Sequence, residues 1–121
     1  MRKTLVALTA ALWVAGSFHA AAQPGRFDAV QIKTTKLSDT IYMLEGEGGN
    51  IGVSAGEDGV LLVDDQFGPL TERILAAIKA ITDKPVRFVV NTHWHFDHTS
   101  GNENFSKSGA EIGRASCRER V

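Results

Sequence analysis

The fold is constrained most tightly by an amphipathic segment between two apolar runs. Residues 60–63 and residues 86–90 are short and almost entirely apolar, which is typical of buried strands. Between them, apolar residues recur at helical spacing over residues 70–81, after a start at Gly68-Pro69. A strand, a helix and a strand with short connections predict a parallel strand pair joined by a right-handed crossover. The sequence therefore favours the α/β (α+β) fold class.

Further elements are predicted on both sides of this unit. Upstream, short segments with strand-like patterns lie at residues 30–34, 41–44 and 51–55. The glycine-rich residues 46–50 lack the lysine of a phosphate-binding loop, so they predict a hairpin turn between the last two strands. Downstream, residues 99–105 predict a short helix, and residues 109–112 look like the beginning of another strand.

The chemistry of the chain is concentrated directly after the second apolar run. His93, His95, Asp97 and His98 fall within six residues and include three of the four histidines of the protein. Neutral imidazoles and ionised carboxylates are donors that divalent metals accept. Open α/β sheets place their sites at the carboxyl ends of strands, which is where this cluster falls. A chance cluster in an exposed polar loop is the alternative, and this order of residues argues against it.

The spacing divides the four side chains into two pairs. In an extended segment His93 and His95 lie on one side of the chain, so both can bind a single metal ion. Asp97 and His98 are adjacent, and a turn of the chain would aim them at a second metal position. Two metals that share a bridging water can generate hydroxide at neutral pH.

Residues next to the cluster have predicted supporting roles. Trp94 and Phe96 alternate with the candidate ligands, and we expect them to pack behind the ligands and fix the loop. Asp64 and Asp65 follow the first apolar run. Either residue is a solvated strand end or a carboxylate that orients a ligand histidine.

The motif also resembles a known family. The run HWHFDH at residues 93–98 is similar to the metal-binding signature of the metallo-beta-lactamase fold hydrolases. The resemblance extends upstream through GVLLVD at residues 59–64 and downstream through TSGN at residues 99–102. It covers about residues 41–105, and the six-residue motif is highly specific.

The resemblance implies a fold and a set of site residues. The fold is the αβ/βα sandwich, of which this chain would form the N-terminal half. His93 and His95 would bind the first metal, and Asp97 and His98 the second, with Asp97 also acting catalytically on a proton. Asp64 would be the carboxylate that orients a ligand histidine, while Asp65 stays undecided. The cofactor implied is zinc, two ions per complete site, with iron or manganese as alternatives.

The resemblance also implies a reaction class. A metal-bound hydroxide would hydrolyse an ester, lactam, thioester or phosphoester, and nothing in the sequence selects among these substrates. An iron-dependent oxidoreductase of the same fold is the second interpretation, and a metal-binding protein without catalysis is the third. The family pattern needs further ligands, including a third histidine, and no histidine follows His98. We therefore expect an inactive fragment of a longer, active hydrolase.

The N-terminus has the pattern of a secretory signal peptide. Arg2 and Lys3 precede an apolar run over residues 5–14, and small residues at positions 20–22 provide a cleavage site. The run is shorter than the roughly 20 residues that span a bilayer, so cleavage is favoured over a membrane anchor. We therefore expect a periplasmic or secreted protein.

The last ten residues break with the preceding pattern. Residues 112–121 match one reading frame of a common sequencing adapter at every position, and a basic tail is the alternative. The predicted organisation is a signal peptide at residues 1–22, a truncated domain at residues 23–111 and an artefactual tail at residues 112–121. The only cysteine, Cys117, falls in this tail, so no disulfide framework or thiolate ligand is expected.

The charge of the chain bears on its partners. The formal net charge is -1, which lacks the basic excess of a nucleic-acid-binding protein. We expect a small-molecule substrate, no nucleic acid and no stable membrane anchor after signal cleavage. The oligomeric state is open.

Overall fold

The computed structural model describes residues 25–115, which form one six-stranded mixed sheet with helices. The predicted signal peptide and Cys117 lie outside the described residues. Within residues 25–115, no helix has the length and apolar character needed to cross a membrane. The α/β fold class predicted from the sequence is confirmed.

The strands follow one another across the sheet in chain order. They are β1 (Lys33–Lys36), β2 (Ile41–Glu45), β3 (Ile51–Gly56), β4 (Gly59–Val63), β5 (Val86–Asn91) and β6 (Glu111–Arg114). The first four strands pair antiparallel, and the turn at residues 46–50 joins β2 and β3 as the predicted hairpin. The predicted parallel pair is also confirmed, because β4 pairs parallel with β5, and β5 pairs parallel with β6. The boundary predicted between the truncated domain, which ends at residue 111, and the tail, which begins at residue 112, falls within β6.

Three helices connect the parallel strands. They are α1 (Thr71–Ile81), α2 (Phe96–Thr99) and α3 (Asn102–Lys107). A 3-10 turn at Gly68–Leu70 precedes α1, and Pro69 lies in this turn, where its missing N–H breaks no helical hydrogen bond. The one short helix predicted at residues 99–105 is two helices in the structure.

The first strand begins later than the sequence pattern predicted. Residues 30–34 alternate as a strand does, yet β1 covers Lys33–Lys36. The Arg73 guanidinium explains the difference, because it donates to the carbonyls of Phe27, Asp28 (3.1 Å) and Val30 (3.0 Å). At Val30, the one of these three residues inside the predicted strand, the carbonyl is thus bonded by a side chain from α1 instead of by a neighbouring strand.

The core lies between one face of the sheet and α1. Leu70, Ile74 and Ile78 are at most 2% exposed, which confirms the apolar helix face predicted from the spacing. Leu62 and Val89 oppose each other in register on the sheet and are fully buried. The alternation of strands turns every second side chain toward this core.

The other face of the sheet is only partly covered by the described residues. Apolar side chains there keep 36–39% of their surface exposed, and they are Ile41, Val63 and Phe88. The core is therefore one-sided in the described residues. The carboxyl ends of β4 and β5 meet at one edge of the sheet, because the two strands are parallel.

We expect Leu62→Ala to lower the free energy of unfolding by about 2–5 kcal/mol, because it opens a cavity beneath α1. Leu37→Ala is the matched control, since Leu37 is 62% exposed and surface changes stay within about 0.5 kcal/mol. Urea unfolding of both variants measures the difference. Equal losses in the two variants would contradict the burial of Leu62 in the core beneath α1.

Candidate functional site

The candidate site lies at the carboxyl ends of β4 and β5. Asp64 directly follows β4 and adopts a left-handed backbone conformation, with φ of 66°. His93 and His95 follow β5 in an irregular segment, and Asp97 and His98 lie in α2. The chain turns after His95, whose backbone is extended at the N-terminus of α2. The structure thus has the turn that the spacing of the two pairs requires.

The Asp64 carboxylate joins the parts of the site. Its Oδ1 accepts the backbone N–H of Thr92 at 2.8 Å. Its Oδ2 accepts the Thr92 hydroxyl at 2.8 Å and lies 2.7 Å from Nδ1 of His98. Asp64 is 3% exposed, so these partners replace the water that a carboxylate would otherwise bind. The carboxylate can only accept, so His98 donates its Nδ1 proton and its Nε2 carries the lone pair.

The three imidazoles form one cluster. The ring centroid of His93 lies 4.0 Å from that of His98 and 4.7 Å from that of His95. His98 Nε2 lies 3.4 Å from Oδ2 of Asp97. The four predicted ligands are therefore neighbours in the structure, with the His93 ring between those of His95 and His98 and with Asp97 beside His98. Their role as metal ligands stays a prediction.

The donor chemistry fits a borderline divalent metal, but the side chains do not form a finished cage. Among residues 25–115, no group of three or more His, Cys, Asp or Glu side chains is arranged to hold a metal ion. A catalytic zinc ion takes three protein ligands. The described residues therefore provide two pairs of candidate ligands, each short of the three that a catalytic zinc takes. In the second pair, Nε2 of His98 already lies beside the Asp97 carboxylate.

The expectation for Trp94 and Phe96 is wrong. Trp94 is 78% exposed and Phe96 is 74% exposed, so neither packs behind the ligands. Trp94 contacts only the edge of the cluster, with its ring centroid 4.7 Å from that of His95. Residues 92–95 form no strand and Phe96 begins α2, so the strand alternation behind the expectation does not hold here.

The glycine turn between β2 and β3 packs on the motif, which sequence reasoning missed. A Cβ atom on Gly48 would lie 2.7 Å from Cβ of Asp97, and one on Gly49 would lie 2.7 Å from Nε2 of His98. The Gln66 side-chain amide donates to the Gly49 carbonyl and holds the turn in place. The signal was the glycine run itself, since glycine permits close approach of the backbone.

Asp65 takes a different role from Asp64. It is fully buried, its N–H donates to the His98 carbonyl at 3.0 Å, and its Oδ1 accepts the Gly101 N–H at 3.0 Å. Its Oδ2 is buried with no hydrogen-bond partner. Burial raises the pKa of Asp65 to about 7. The hydrogen bond from Gly101 lowers this pKa, and the nearby charge of Asp64 raises it.

This raised pKa predicts a pH-dependent stability. The folded chain keeps the Asp65 proton between the ordinary pKa of 3.8 and about 7, so ionising Asp65 destabilises the fold as pH rises through that range. Asp65→Asn cannot ionise. We expect the stability of Asp65→Asn relative to wild type to increase from about pH 4 to about pH 7, each pKa unit being worth about 1.4 kcal/mol.

Urea unfolding of the metal-free chain across this pH range measures the effect. Asp83→Asn is the control, because Asp83 is exposed at the end of α1, and its difference from wild type should not follow the same trend. A difference for Asp65→Asn that stays constant with pH would refute the buried proton.

Comparison with known proteins gives one family. The family model described as the metallo-beta-lactamase superfamily matches residues 44–112. The subclass B3 metallo-beta-lactamase BJP-1 of Bradyrhizobium japonicum is similar in structure, with a TM-score of 0.61 and 26% identity. That match covers 72% of this chain and 34% of BJP-1.

Two further structures share the fold. The metallo-beta-lactamase FIM-1 from Pseudomonas aeruginosa, in its mono-zinc form, has a TM-score of 0.63 and 24% identity, covering 72% of this chain and 43% of FIM-1. The class B3 di-zinc metallo-beta-lactamase LRA-12 from an Alaskan soil metagenome has a TM-score of 0.62 and 16% identity, covering 76% of this chain and 36% of LRA-12. The matched part of this chain thus spans 34–43% of the length of these three proteins.

Proposed function

The chain belongs to the metallo-beta-lactamase superfamily, and on that basis we propose that it carries the metal-binding motif of a zinc-dependent hydrolase. One observation carries the proposal: the Asp64 carboxylate accepts a hydrogen bond from Nδ1–H of His98, which leaves the lone pair of that ring on Nε2, beside the Asp97 carboxylate. A mixed set of imidazoles and carboxylate suits zinc.

We assign the four motif residues to two zinc ions. His93 and His95 would hold the first ion, and Asp97 and His98 would hold the second. Zinc, when bound, acts as a Lewis acid on the scissile group and makes hydroxide available at neutral pH. Asp97 is the catalytic residue of the set, because its half-exposed carboxylate can accept and return a proton at the cluster.

The proposed substrate class is an ester, lactam, thioester or phosphoester. All four present an oxygen that a metal can polarise and a bond that hydroxide can break. The superfamily name does not select the lactam, since one fold supports many reactions. The exposed rings of Trp94 and Phe96 border the cluster, which is compatible with a substrate that has apolar parts.

A second candidate function is metal binding without catalysis. It is favoured by the finding that, in the described part of the chain, no three donors converge on one position. The two candidates share the ligand residues and differ in turnover, so experiments can separate them.

We also propose that the protein acts in the periplasm or outside the cell on a small molecule. The signal-like pattern of residues 1–22 supports this location. The absence of cysteine from residues 23–115 leaves imidazole and carboxylate as the metal donors there, and these donors persist in an oxidising compartment.

We expect the 121-residue chain to bind zinc through the motif. His95→Ala and Asp97→Asn each remove a ligand, so each should lower zinc affinity by more than the roughly 10–100-fold that loss of an outer hydrogen-bond partner costs. Competition against a chromogenic chelator measures the affinity. Glu103→Gln is the matched control for Asp97→Asn, because it removes an exposed carboxylate on α3 and should leave zinc affinity unchanged.

The outcomes separate the candidates. Zinc affinity that is insensitive to His95→Ala and Asp97→Asn would contradict both functions. In the whole protein loaded with zinc, the hydrolase predicts turnover of a chromogenic substrate from one of the four classes and its loss in Asp97→Asn. Ligand-dependent zinc binding without turnover of any class would leave the non-catalytic function in place.

A further inference from the structure

The Thr92 side chain lies between the Asp64 carboxylate and His93. Its Oγ1 is 2.8 Å from Oδ2 of Asp64 and 2.8 Å from Nδ1 of His93. The Thr92 backbone N–H donates to the other oxygen of the same carboxylate at 2.8 Å. Main chain and side chain together fix residue 92 at the point where β5 ends.

The direction of these hydrogen bonds follows from the count of protons. A hydroxyl group has one proton to donate and two lone pairs with which to accept. The Asp64 carboxylate can only accept, so Thr92 donates its proton to Asp64. The Thr92 oxygen then accepts from Nδ1–H of His93. The opposite tautomer would give Thr92 two acceptors for one proton and leave one of the 2.8 Å contacts without a hydrogen bond.

The tautomer of His93 decides which of its nitrogen atoms can bind a metal. With the proton on Nδ1, the lone pair of the neutral ring lies on Nε2. Oδ2 of Asp64 also accepts from Nδ1 of His98 at 2.7 Å. One carboxylate oxygen therefore fixes both rings, His98 directly and His93 through the Thr92 hydroxyl.

We propose that Thr92 is a positioning residue that presents Nε2 of His93 to the metal by relaying the Asp64 hydrogen bond. The proposal rests on the assignment of His93 as a metal ligand in the proposed function. The hydrogen-bond relay itself needs no metal and can be tested without one. Metal-ligating histidines are generally held in this way, by a hydrogen bond from the ring nitrogen that does not bind the metal.

The test compares Thr92→Val with Thr92→Ser. Valine keeps the branched shape of threonine but removes the hydroxyl, whereas serine keeps the hydroxyl. Residue 92 is exposed, so both variants should fold. The first measurement is a long-range proton–nitrogen correlation spectrum of the metal-free, nitrogen-15-labelled chain at about pH 8, where imidazoles are ordinarily neutral.

We expect His93 to be protonated on Nδ1 in wild type and in Thr92→Ser. In Thr92→Val the ring should shift toward the Nε2-protonated tautomer, which free histidine prefers in water. His98 should keep its Nδ1 proton in all three proteins, because its contact with Asp64 is direct. His98 therefore serves as the internal control within each spectrum.

The second measurement is zinc affinity. Thr92→Val should lower zinc affinity by about 10–100-fold, the usual cost of losing an outer hydrogen bond to a ligand. Thr92→Ser should keep the affinity of the wild type. An unchanged His93 tautomer in Thr92→Val would overturn the relay, even if zinc binding depends on His93. A relay that behaves as expected in a chain that binds no zinc would instead overturn the proposed function.

Discussion

The buried carboxylate of Asp64 holds the candidate site together. It lies at the end of β4 in a left-handed conformation and accepts hydrogen bonds from residue 92 after β5 and from His98 in α2. A buried charge is costly unless hydrogen bonds replace its hydration. Each of these hydrogen bonds therefore stabilises the charge and at the same time fixes a segment of the motif. Loss of the carboxylate would free the loop and both histidine tautomers together.

The rest of the fold brings this carboxylate to its partners and limits how far they can move. The parallel pairing of β4 and β5 puts two strand ends side by side, although 28 residues separate Asp64 from Thr92. Gly49 approaches His98 so closely that no side chain fits between them. Asp65 is next to Asp64 in the chain, but its buried carboxyl group favours the protonated form. With one oxygen unpartnered, it is stabilised by keeping its proton rather than by ionising.

Local sequence patterns predicted the strands, the helix and the ligand cluster, because these depend on residues that are close together in the chain. Apolar runs located the central strands, helical spacing located α1 and its buried face, and the short connections predicted the parallel pair. The candidate ligands could be grouped from the sequence alone, because the histidines and Asp97 are close together in the chain. Contacts between distant residues were not predictable in this way. The position of the Thr92 hydroxyl and the approach of the glycine turn depend on pairs far apart in the chain, and the outward direction of Trp94 depends on which side of the loop faces the sheet.

If Asp64 makes His93 and His98 available to a metal, zinc should bind through fewer imidazoles once that carboxylate is removed. X-ray absorption at the zinc edge detects imidazole ligands, and the comparison is between the wild-type chain and Asp64→Asn, each with two equivalents of zinc. An asparagine amide would donate to Nδ1 of His98 and keep the proton of that ring on Nε2, the nitrogen that would otherwise bind the metal. We expect imidazole scattering in wild type and a clear loss of it in Asp64→Asn. Equal imidazole scattering in the two spectra, or none in wild type, would contradict this role of Asp64.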